Sequence, residues 1–224
     1  MAELSPISIA FLVFPNVTQL DLTGPAQVLS RLGNARVDLV WKETGPVATD
    51  SGFPLHPTKT FEEASHADIL CVPGGFGTVD VIQDAAALDW VRKVGAGADW
   101  VTSVCTGALV LGAAGLLEGY RATTHWASME QLGFFGAVPT KDRVVIDRNR
   151  VTGGGVTSGI DFGLRLIEQI RGEAYAKFVQ LSIEYDPQPP FDAGSPDKAD
   201  EATLARYWDL VNRSAPGRVD KVRE

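Results

Sequence analysis

Short apolar runs alternate with longer helix-forming stretches along the first half of the chain. The apolar runs are rich in β-branched residues and predict strands at 7–14, 37–41, 69–72 and 100–104. The stretches between and after them predict helices at 23–31, 79–96 and 106–117. This alternation is typical of βαβ units, so we predict an α/β fold whose mostly parallel sheet is flanked by helices on both faces.

The second half continues with short strands predicted at 144–147 and 149–152, followed by three consecutive glycines. A helix is expected to begin near Thr157 or Ser158 and to run through Ile170, and another is expected at 173–184. From residue 186 the composition changes to DPQPPFDAGSPDK, whose prolines exclude a continuous helix. We predict that residues 1–224 form one domain, with residues 186–224 as a covering loop and C-terminal tail that includes a helix at 199–212.

Residues 100–117 read WVTSVCTGALVLGAAGLL and join a strand directly to a helix through Cys105. Small residues at Ser103 and Gly107 permit the strand and the helix to pack closely. This is the pattern of a nucleophile elbow, in which a strained turn exposes the central side chain. The N-terminus of the following helix favours the thiolate form of a cysteine placed there. We therefore predict that Cys105 is a catalytic nucleophile.

The other cysteine, Cys71, lies inside a short apolar run that is typical of a central strand. A free cysteine in such a run usually behaves as a small apolar core residue, so we predict a structural role for it. The sequence contains neither a CxxC pair nor a His/Cys cluster with zinc spacing. We expect no disulfide framework and no metal site.

Two loops are expected to join Cys105 at the carboxyl edge of the sheet. Asp21 lies between two leucines, where an apolar surrounding would raise the pKa of its carboxyl and allow proton exchange at neutral pH. The sequence leaves open a role for the same carboxylate in capping the next helix. Gly74 and Gly75 follow the third strand, where the N–H groups of Gly75 and Thr106 would form an oxyanion-type hole; a Gly-Gly pair is also a common turn.

His125, in the segment ATTHWA, is the one histidine of three that lies near a predicted strand end. It is interpreted either as the base of a Cys/His dyad or, more in line with its tryptophan neighbour Trp126, as a residue of the pocket wall. Phe76, Phe134 and Phe135 are further candidates for an apolar pocket, and each is equally compatible with an ordinary core position.

Composition excludes several classes of function. The chain has 224 residues, 45% of them hydrophobic, and a net charge of −8, which argues against non-specific nucleic-acid binding because that needs clustered lysine and arginine. There is no long uninterrupted apolar stretch, so no membrane span is expected. The N-terminal apolar run lacks the features of a signal peptide, and we expect a cytoplasmic protein.

Several sequence blocks together resemble the ThiJ/PfpI superfamily over residues 7–196. They include FLVFPNVTQLDLTGP, VTSVCTGALVLGAAGLLEG, RATTHWA, VTGGGVTSGIDF and QLSIEYDPQPPFDAGSPD. The resemblance implies a flavodoxin-like sandwich, that is, a class I glutamine-amidotransferase-like domain, with an elbow cysteine opposite an acidic residue. The blocks are most similar to those of the isocyanide-hydrating members. Thr106 stands where the proteases of the superfamily carry histidine, and Asp21 stands where its repair proteins usually carry glutamate.

The resemblance implies hydration of an isocyanide, R–N≡C, to an N-substituted formamide without metal or organic cofactor. Cys105 would attack the terminal carbon and form a thioimidate, Asp21 would act as acid and base, and Thr106 and Gly75 would position the reacting groups. It also implies a homodimer. Two other functions use a reactive cysteine and stay open on the sequence: a redox or electrophile sensor, and a glyoxalase or deglycase acting on α-dicarbonyls.

Overall fold

The computed structural model describes residues 5–214 and residue 222. Its strands are β1 (Ile7–Leu12), β2 (Ala35–Trp41), β3 (Val47–Ala48), β4 (Pro54–Leu55), β5 (Lys59–Thr60), β6 (Ile69–Val72), β7 (Trp100–Val104), β8 (Arg121–Ala122), β9 (Val138–Pro139), β10 (Val144–Asp147) and β11 (Arg150–Gly153). Its helices are α1 (Gln19–Leu29), α2 (Thr78–Ile82), α3 (Ala85–Gly97), α4 (Gly107–Ala113), α5 (Ser158–Arg171), α6 (Glu173–Ser182) and α7 (Glu201–Ser214), with a 3₁₀ helix at Trp126–Phe135.

A seven-stranded sheet forms the centre of the molecule, with the strand order β10-β11-β7-β6-β1-β2-β5. All neighbours run parallel except β10 and β11, which form an antiparallel pair at one edge. Two small sheets, β3 with β4 and β8 with β9, lie outside it. The predicted α/β fold with a mostly parallel sheet is confirmed.

Both faces of the sheet are covered by helices, because alternate residues of each strand point to opposite sides. In β1, Ile9 and Phe11 belong to one apolar core together with residues of α1, α5 and α6. Ala10 and Leu12 belong to the other core, together with residues of α2, α3 and α4. The strands are apolar on both faces for this reason, as the continuous runs in the sequence predicted.

Three predicted helices differ from the observed ones. Helix α1 begins at Gln19, four residues before the predicted start, and so includes Asp21 in its first turn. The single helix predicted at 79–96 is divided into α2 and α3, because the Asp84 side chain accepts a hydrogen bond from the Ala87 N–H (3.2 Å) and caps a new helix. The helix predicted at 106–117 already ends at Ala113. The 3₁₀ helix and the two-residue strands were not predicted.

Residues 186–200 contain no helix or strand, and α7 follows close to its predicted position. Part of the predicted C-terminal tail, residues 215–221 and 223–224, lies outside the described residues. The assignment of residues 1–224 to one domain stays a prediction. No helix within residues 5–214 and 222 has the length and apolar character to cross a membrane.

Candidate active site

The turn that carries Cys105 joins β7 to α4 in a strained conformation. Cys105 has a φ of 55°, in the left-handed region, which costs a residue with a side chain about 1–2 kcal/mol. Its N–H donates to the Gly153 carbonyl (3.1 Å), and the Thr124 hydroxyl donates to its carbonyl (2.7 Å). A Cβ on Gly107 would lie 2.0 Å from the Val72 carbonyl oxygen, so only glycine permits this approach of helix and strand. The strained strand–turn–helix geometry of the predicted nucleophile elbow is confirmed.

The Cys105 side chain is buried rather than exposed, with a relative accessibility of 6%. Burial raises the pKa of the thiol well above its usual value, and the nearby Asp21 carboxyl raises it further. The backbone N–H and the hydroxyl of Thr106 act in the opposite direction and lower the pKa without reversing the shift. The N-terminus of α4 favours the thiolate as expected, through the Thr106 N–H, but burial penalises the charged form more strongly. The expectation that the side chain is exposed is wrong.

Asp21 lies in the first turn of α1 and is completely buried. Its Oδ2 atom accepts a hydrogen bond from the Gly74 N–H (2.9 Å), whereas no side-chain bond caps α1. Burial raises the pKa of this carboxyl to about 7, although hydrogen bonds from Gly74 and Cys105 partly oppose the shift. The helix-capping interpretation finds no side-chain bond in the structure, and the acid/base role of Asp21 stays a prediction.

Gly74 is the point where the loop after β6 meets both Asp21 and Thr106. A Cβ at this position would lie 2.7 Å from the Asp21 Oδ2 atom, 2.6 Å from the Thr106 backbone nitrogen and 2.7 Å from the Thr106 Oγ1 atom. Any side chain would displace one of these groups. A glycine is thus required here because three functional atoms converge on its Cα.

The neighbouring Gly75 serves a different purpose from the one predicted. Its N–H donates to the Thr106 Oγ1 atom (3.0 Å), and its carbonyl oxygen lies 3.2 Å from the Thr106 hydroxyl and 2.8 Å from the Thr78 hydroxyl. Because the Gly75 N–H is already engaged, it does not form an oxyanion hole with the Thr106 N–H in this structure. The geometry makes Gly75 a support for Thr106, whose own N–H reaches Cys105.

His125 lies at the start of the 3₁₀ helix and lines the same pocket as Cys105. Its Nδ1 atom accepts a hydrogen bond from the Ala127 N–H (3.3 Å), and the Tyr207 hydroxyl lies 3.5 Å from the same atom. The His125 and Tyr207 rings are nearly parallel, with centroids 5.8 Å apart. Trp126 packs against Tyr207 with centroids 4.6 Å apart but does not line this pocket. These contacts agree with the wall interpretation of His125.

The pocket beside Cys105 has a volume of about 190 Å³ and mixes apolar with polar residues. Of the predicted aromatic candidates, only Phe76 lines it. Sequence reasoning missed Val156, although it follows the glycines at the carboxyl end of β11, where the position of the strand would have indicated it. It also missed Tyr207 of α7, as well as Ser128 and Gln131 of the 3₁₀ helix, for which the sequence contains no comparable signal.

Within residues 5–214 and 222, no group of three or more His, Cys, Asp or Glu residues is placed to hold a metal ion.

Two curated proteins and one solved structure illustrate what this chain is similar to. The isonitrile hydratase of Pseudomonas putida is 54% identical over 198 residues, which cover 88% of this chain and 87% of that protein. The HTH-type transcriptional regulator CdhR of Pseudomonas aeruginosa is 30% identical over 182 residues, but these cover 78% of this chain and only 53% of the regulator. The crystal structure of a ThiJ/PfpI family protein from Pseudomonas syringae superposes with a TM-score of 0.93 at 42% identity and covers 98% of this chain and 92% of that one.

The family itself is recognised over most of the described fold. The model of the DJ-1/PfpI family matches residues 7–169, which extend from β1 into α5 and include both Asp21 and Cys105. The match therefore contains the elbow, the Gly74 turn and the buried carboxyl described above. This chain belongs to the DJ-1/PfpI family.

Proposed function

We propose that this protein hydrates isocyanides to N-substituted formamides, with Cys105 as the nucleophile and Asp21 as the acid and base. The observation that carries the proposal is the pairing of a buried thiol with a buried carboxyl whose pKa is raised to about 7. Once Asp21 has lost its proton, the pair consists of a protonated thiol and a carboxylate that can accept the thiol proton, which is the arrangement that an addition to the terminal carbon needs. Support also comes from the 54% identity to the isonitrile hydratase of Pseudomonas putida.

The first half of the reaction adds the thiol of Cys105 to the terminal isocyanide carbon. Asp21 as a carboxylate accepts the thiol proton, which generates the thiolate where it is needed. The sulfur then bonds to the carbon while protonated Asp21 gives the same proton to that carbon. The product is a thioimidate, R–N=CH–S–Cys105, and Asp21 is again a carboxylate. Sulfur and proton both end on the carbon, so this half-reaction needs no metal ion or redox partner.

The second half hydrolyses the thioimidate. The Asp21 carboxylate takes a proton from a water molecule as the water oxygen attacks the thioimidate carbon, and protonated Asp21 then gives this proton to the imidate nitrogen. When the tetrahedral adduct collapses, the carbon–sulfur bond breaks and R–NH–CHO is released. Asp21 transfers the hydroxyl proton of the adduct to the departing sulfur, which restores the Cys105 thiol. Thr106 is suited to assist, because its N–H and hydroxyl both stabilise negative charge on the sulfur.

The first test is to incubate cyclohexyl isocyanide or para-nitrophenyl isocyanide with the protein and to follow formamide by infrared or mass spectrometry. We expect formamide from the unaltered protein and none from Cys105→Ala. Cys71→Ala is the matched control, because it removes the other buried free thiol and leaves the pocket intact. Equal formamide production by Cys105→Ala would overturn the proposal.

The same protein samples separate the two alternative functions. Turnover of methylglyoxal without formamide would indicate a glyoxalase or deglycase, and oxidation of Cys105 at low peroxide, read by intact mass, would indicate a sensor.

The proposal includes the homodimer that the family resemblance implies. Two apolar side chains one helical turn apart on α6, Phe178 and Leu181, are 62% and 80% exposed. Together they form an apolar surface of the kind that a second copy of the chain covers in a dimer. Light scattering of the purified protein tests this: a monomer at micromolar concentration would contradict it.

A further inference from the structure

One face of the 3₁₀ helix is polar and lines the Cys105 pocket. A 3₁₀ helix has three residues per turn, so side chains at positions i and i+3 lie above one another. His125, Ser128 and Gln131 follow this spacing, and all three line the pocket. The Ser128 N–H donates to the His125 carbonyl (2.8 Å), which is the bond expected for this geometry. The helix therefore presents a row of polar side chains to the space beside the nucleophile.

Two members of this row each have a buried side-chain oxygen without a hydrogen-bond partner. Ser128 is 1% exposed and Gln131 is 4% exposed, and neither the Ser128 Oγ atom nor the Gln131 Oε1 atom has a partner in the described part of the protein. Buried polar atoms are nearly always paired, because leaving them unpaired costs free energy. Two unpaired atoms on one face of one helix, both beside the reactive cysteine, indicate that their partner is a bound molecule.

The charges around the pocket restrict what this molecule carries. Val79, Leu109 and Val156 give other parts of the wall an apolar character. Among the described residues, no lysine or arginine lines the pocket, whereas the acidic residue Asp50 does. An anionic substituent would find no cationic partner there. The Gln131 Oε1 atom accepts hydrogen bonds and the Ser128 hydroxyl both donates and accepts, so a neutral donor such as a hydroxyl matches them.

We propose that Ser128 and Gln131 form a specificity subsite for a neutral hydroxyl group on the R substituent of the isocyanide. The inference rests on the proposed function for the identity of the reacting group and adds the substrate class. The hydroxyl donates to the Gln131 Oε1 atom and accepts from the Ser128 hydroxyl, while the rest of the substituent lies against the apolar wall. The protein therefore prefers hydroxylated isocyanides to their plain hydrocarbon counterparts.

The test compares cyclohexyl isocyanide with its 3-hydroxy and 4-hydroxy derivatives, cis and trans. Affinity is measured by calorimetry on Cys105→Ala, which binds without turnover, and kcat/KM is measured on the unaltered protein. The best hydroxylated compound is expected to bind about 5- to 10-fold more tightly than cyclohexyl isocyanide, as one well-placed hydrogen bond allows. The ratio of the two affinities should fall to about 1 when Ser128→Ala or Gln131→Met is added.

Ser158→Ala is the matched control, because Ser158 is an equally buried serine with an unpaired Oγ atom but does not line this pocket.

Each outcome decides one of the two proposals. If no hydroxylated compound binds more tightly than cyclohexyl isocyanide, or if the preference survives in both Ser128→Ala and Gln131→Met, the subsite is overturned. A preference that depends on Ser128 and Gln131, without formamide from the unaltered protein, would support the subsite and overturn the hydratase. Thermal unfolding of the variants provides the remaining control: removal of an unpaired buried polar atom is expected to leave the melting temperature unchanged or higher.

Discussion

One cysteine of this protein lies in a strand of the central sheet and the other directly follows the neighbouring strand, yet their chemical surroundings differ. Cys71 lies inside β6 opposite Thr102 of β7, whose hydroxyl is 2.9 Å from its sulfur. Cys105 lies one residue beyond the end of β7, in a left-handed turn that borders the pocket. Both side chains are buried, and burial raises the pKa of both thiols, that of Cys71 to about 12.

Neither burial nor the direction of the pKa shift therefore distinguishes the reactive cysteine from the structural one. The difference is in what each sulfur can reach. Cys71 contacts a hydroxyl that also donates to the Leu70 carbonyl (2.9 Å), and it does not line the pocket beside Cys105. Cys105 faces a pocket and a carboxyl that titrates near pH 7. The comparison teaches that a proton acceptor and space for a substrate make a buried thiol useful for catalysis.

The largest expected effect separates the two thiols directly. Cys105→Ala should lower kcat/KM for an isocyanide by at least about 10³-fold, because the covalent route is lost. Cys71→Ala should keep turnover within about twofold and should lower the free energy of unfolding by roughly 1 kcal/mol, because it leaves a small cavity in the core. Steady-state kinetics and urea unfolding measure both. A folded Cys71→Ala protein without activity would contradict the purely structural role of Cys71.

The next effect concerns the proton acceptor that only Cys105 has. Asp21→Asn keeps an oxygen to accept the Gly74 N–H but cannot carry a proton, so kcat should fall by about 10²- to 10⁴-fold. Asp84→Asn is the control, because Asp84 caps α3 outside the pocket and asparagine is an equally good cap. Unchanged turnover in Asp21→Asn would reduce Asp21 to a structural role.

The same substitution should stabilise the fold in a pH-dependent way. Asp21 loses its proton near pH 7 in the folded protein and near its usual value of 3.8 in the unfolded chain. The stabilisation of its neutral form is therefore present below about pH 4 and is lost as the pH rises through 7. At pH 8 Asp21→Asn should be more stable than the unaltered protein by up to about 4 kcal/mol, with little difference at pH 4. Equal gains at both pH values, measured by urea unfolding, would contradict this origin.

The pH dependence of turnover tests the role of the Asp21 carboxylate in the unaltered protein. Below about pH 7 both Asp21 and Cys105 carry protons, and no carboxylate is left to accept the thiol proton. We expect kcat/KM to fall about tenfold for each pH unit below 7, to about 1% of its plateau value at pH 5. The apparent pKa of this profile belongs to Asp21 and Cys105 together, because the two groups titrate as a coupled pair. A flat profile between pH 5 and pH 8 would show that the pair does not control the reaction.

The smallest effect compares the two threonines that contact the two sulfurs. Thr106→Val removes the hydroxyl that lowers the pKa of the Cys105 thiol and accepts the Gly75 N–H, so kcat should fall about tenfold. Thr102→Val removes the hydroxyl beside Cys71 and should cost stability alone, roughly 1 kcal/mol, with turnover unchanged. Similar kinetics for the two variants would mean that the Thr106 hydroxyl takes no part in the reaction.

Much of this protein is determined by local sequence. The apolar runs and the prolines after residue 186 indicated most strands, most helices and the irregular segment at 186–200, because hydrophobic period and backbone restriction act over a few residues. The elbow at Cys105 is also local, since Ser103, Gly107 and the strand-to-helix transition all lie within a short segment. The resemblance to the superfamily indicated that the Asp21 carboxyl is the partner of Cys105.

The tertiary structure decided what these residues can do chemically. Burial by the folded chain raises the pKa of Asp21, although a hydrogen bond from the Gly74 N–H, 53 residues away, partly opposes the shift. Burial also opposes the thiolate form of Cys105. The pairing of His125 with Tyr207 spans 82 residues. The polar face of Ser128 and Gln131 depends on a 3₁₀ period that the sequence does not specify. Desolvation and long-range packing depend on the whole fold, so no local pattern contains them.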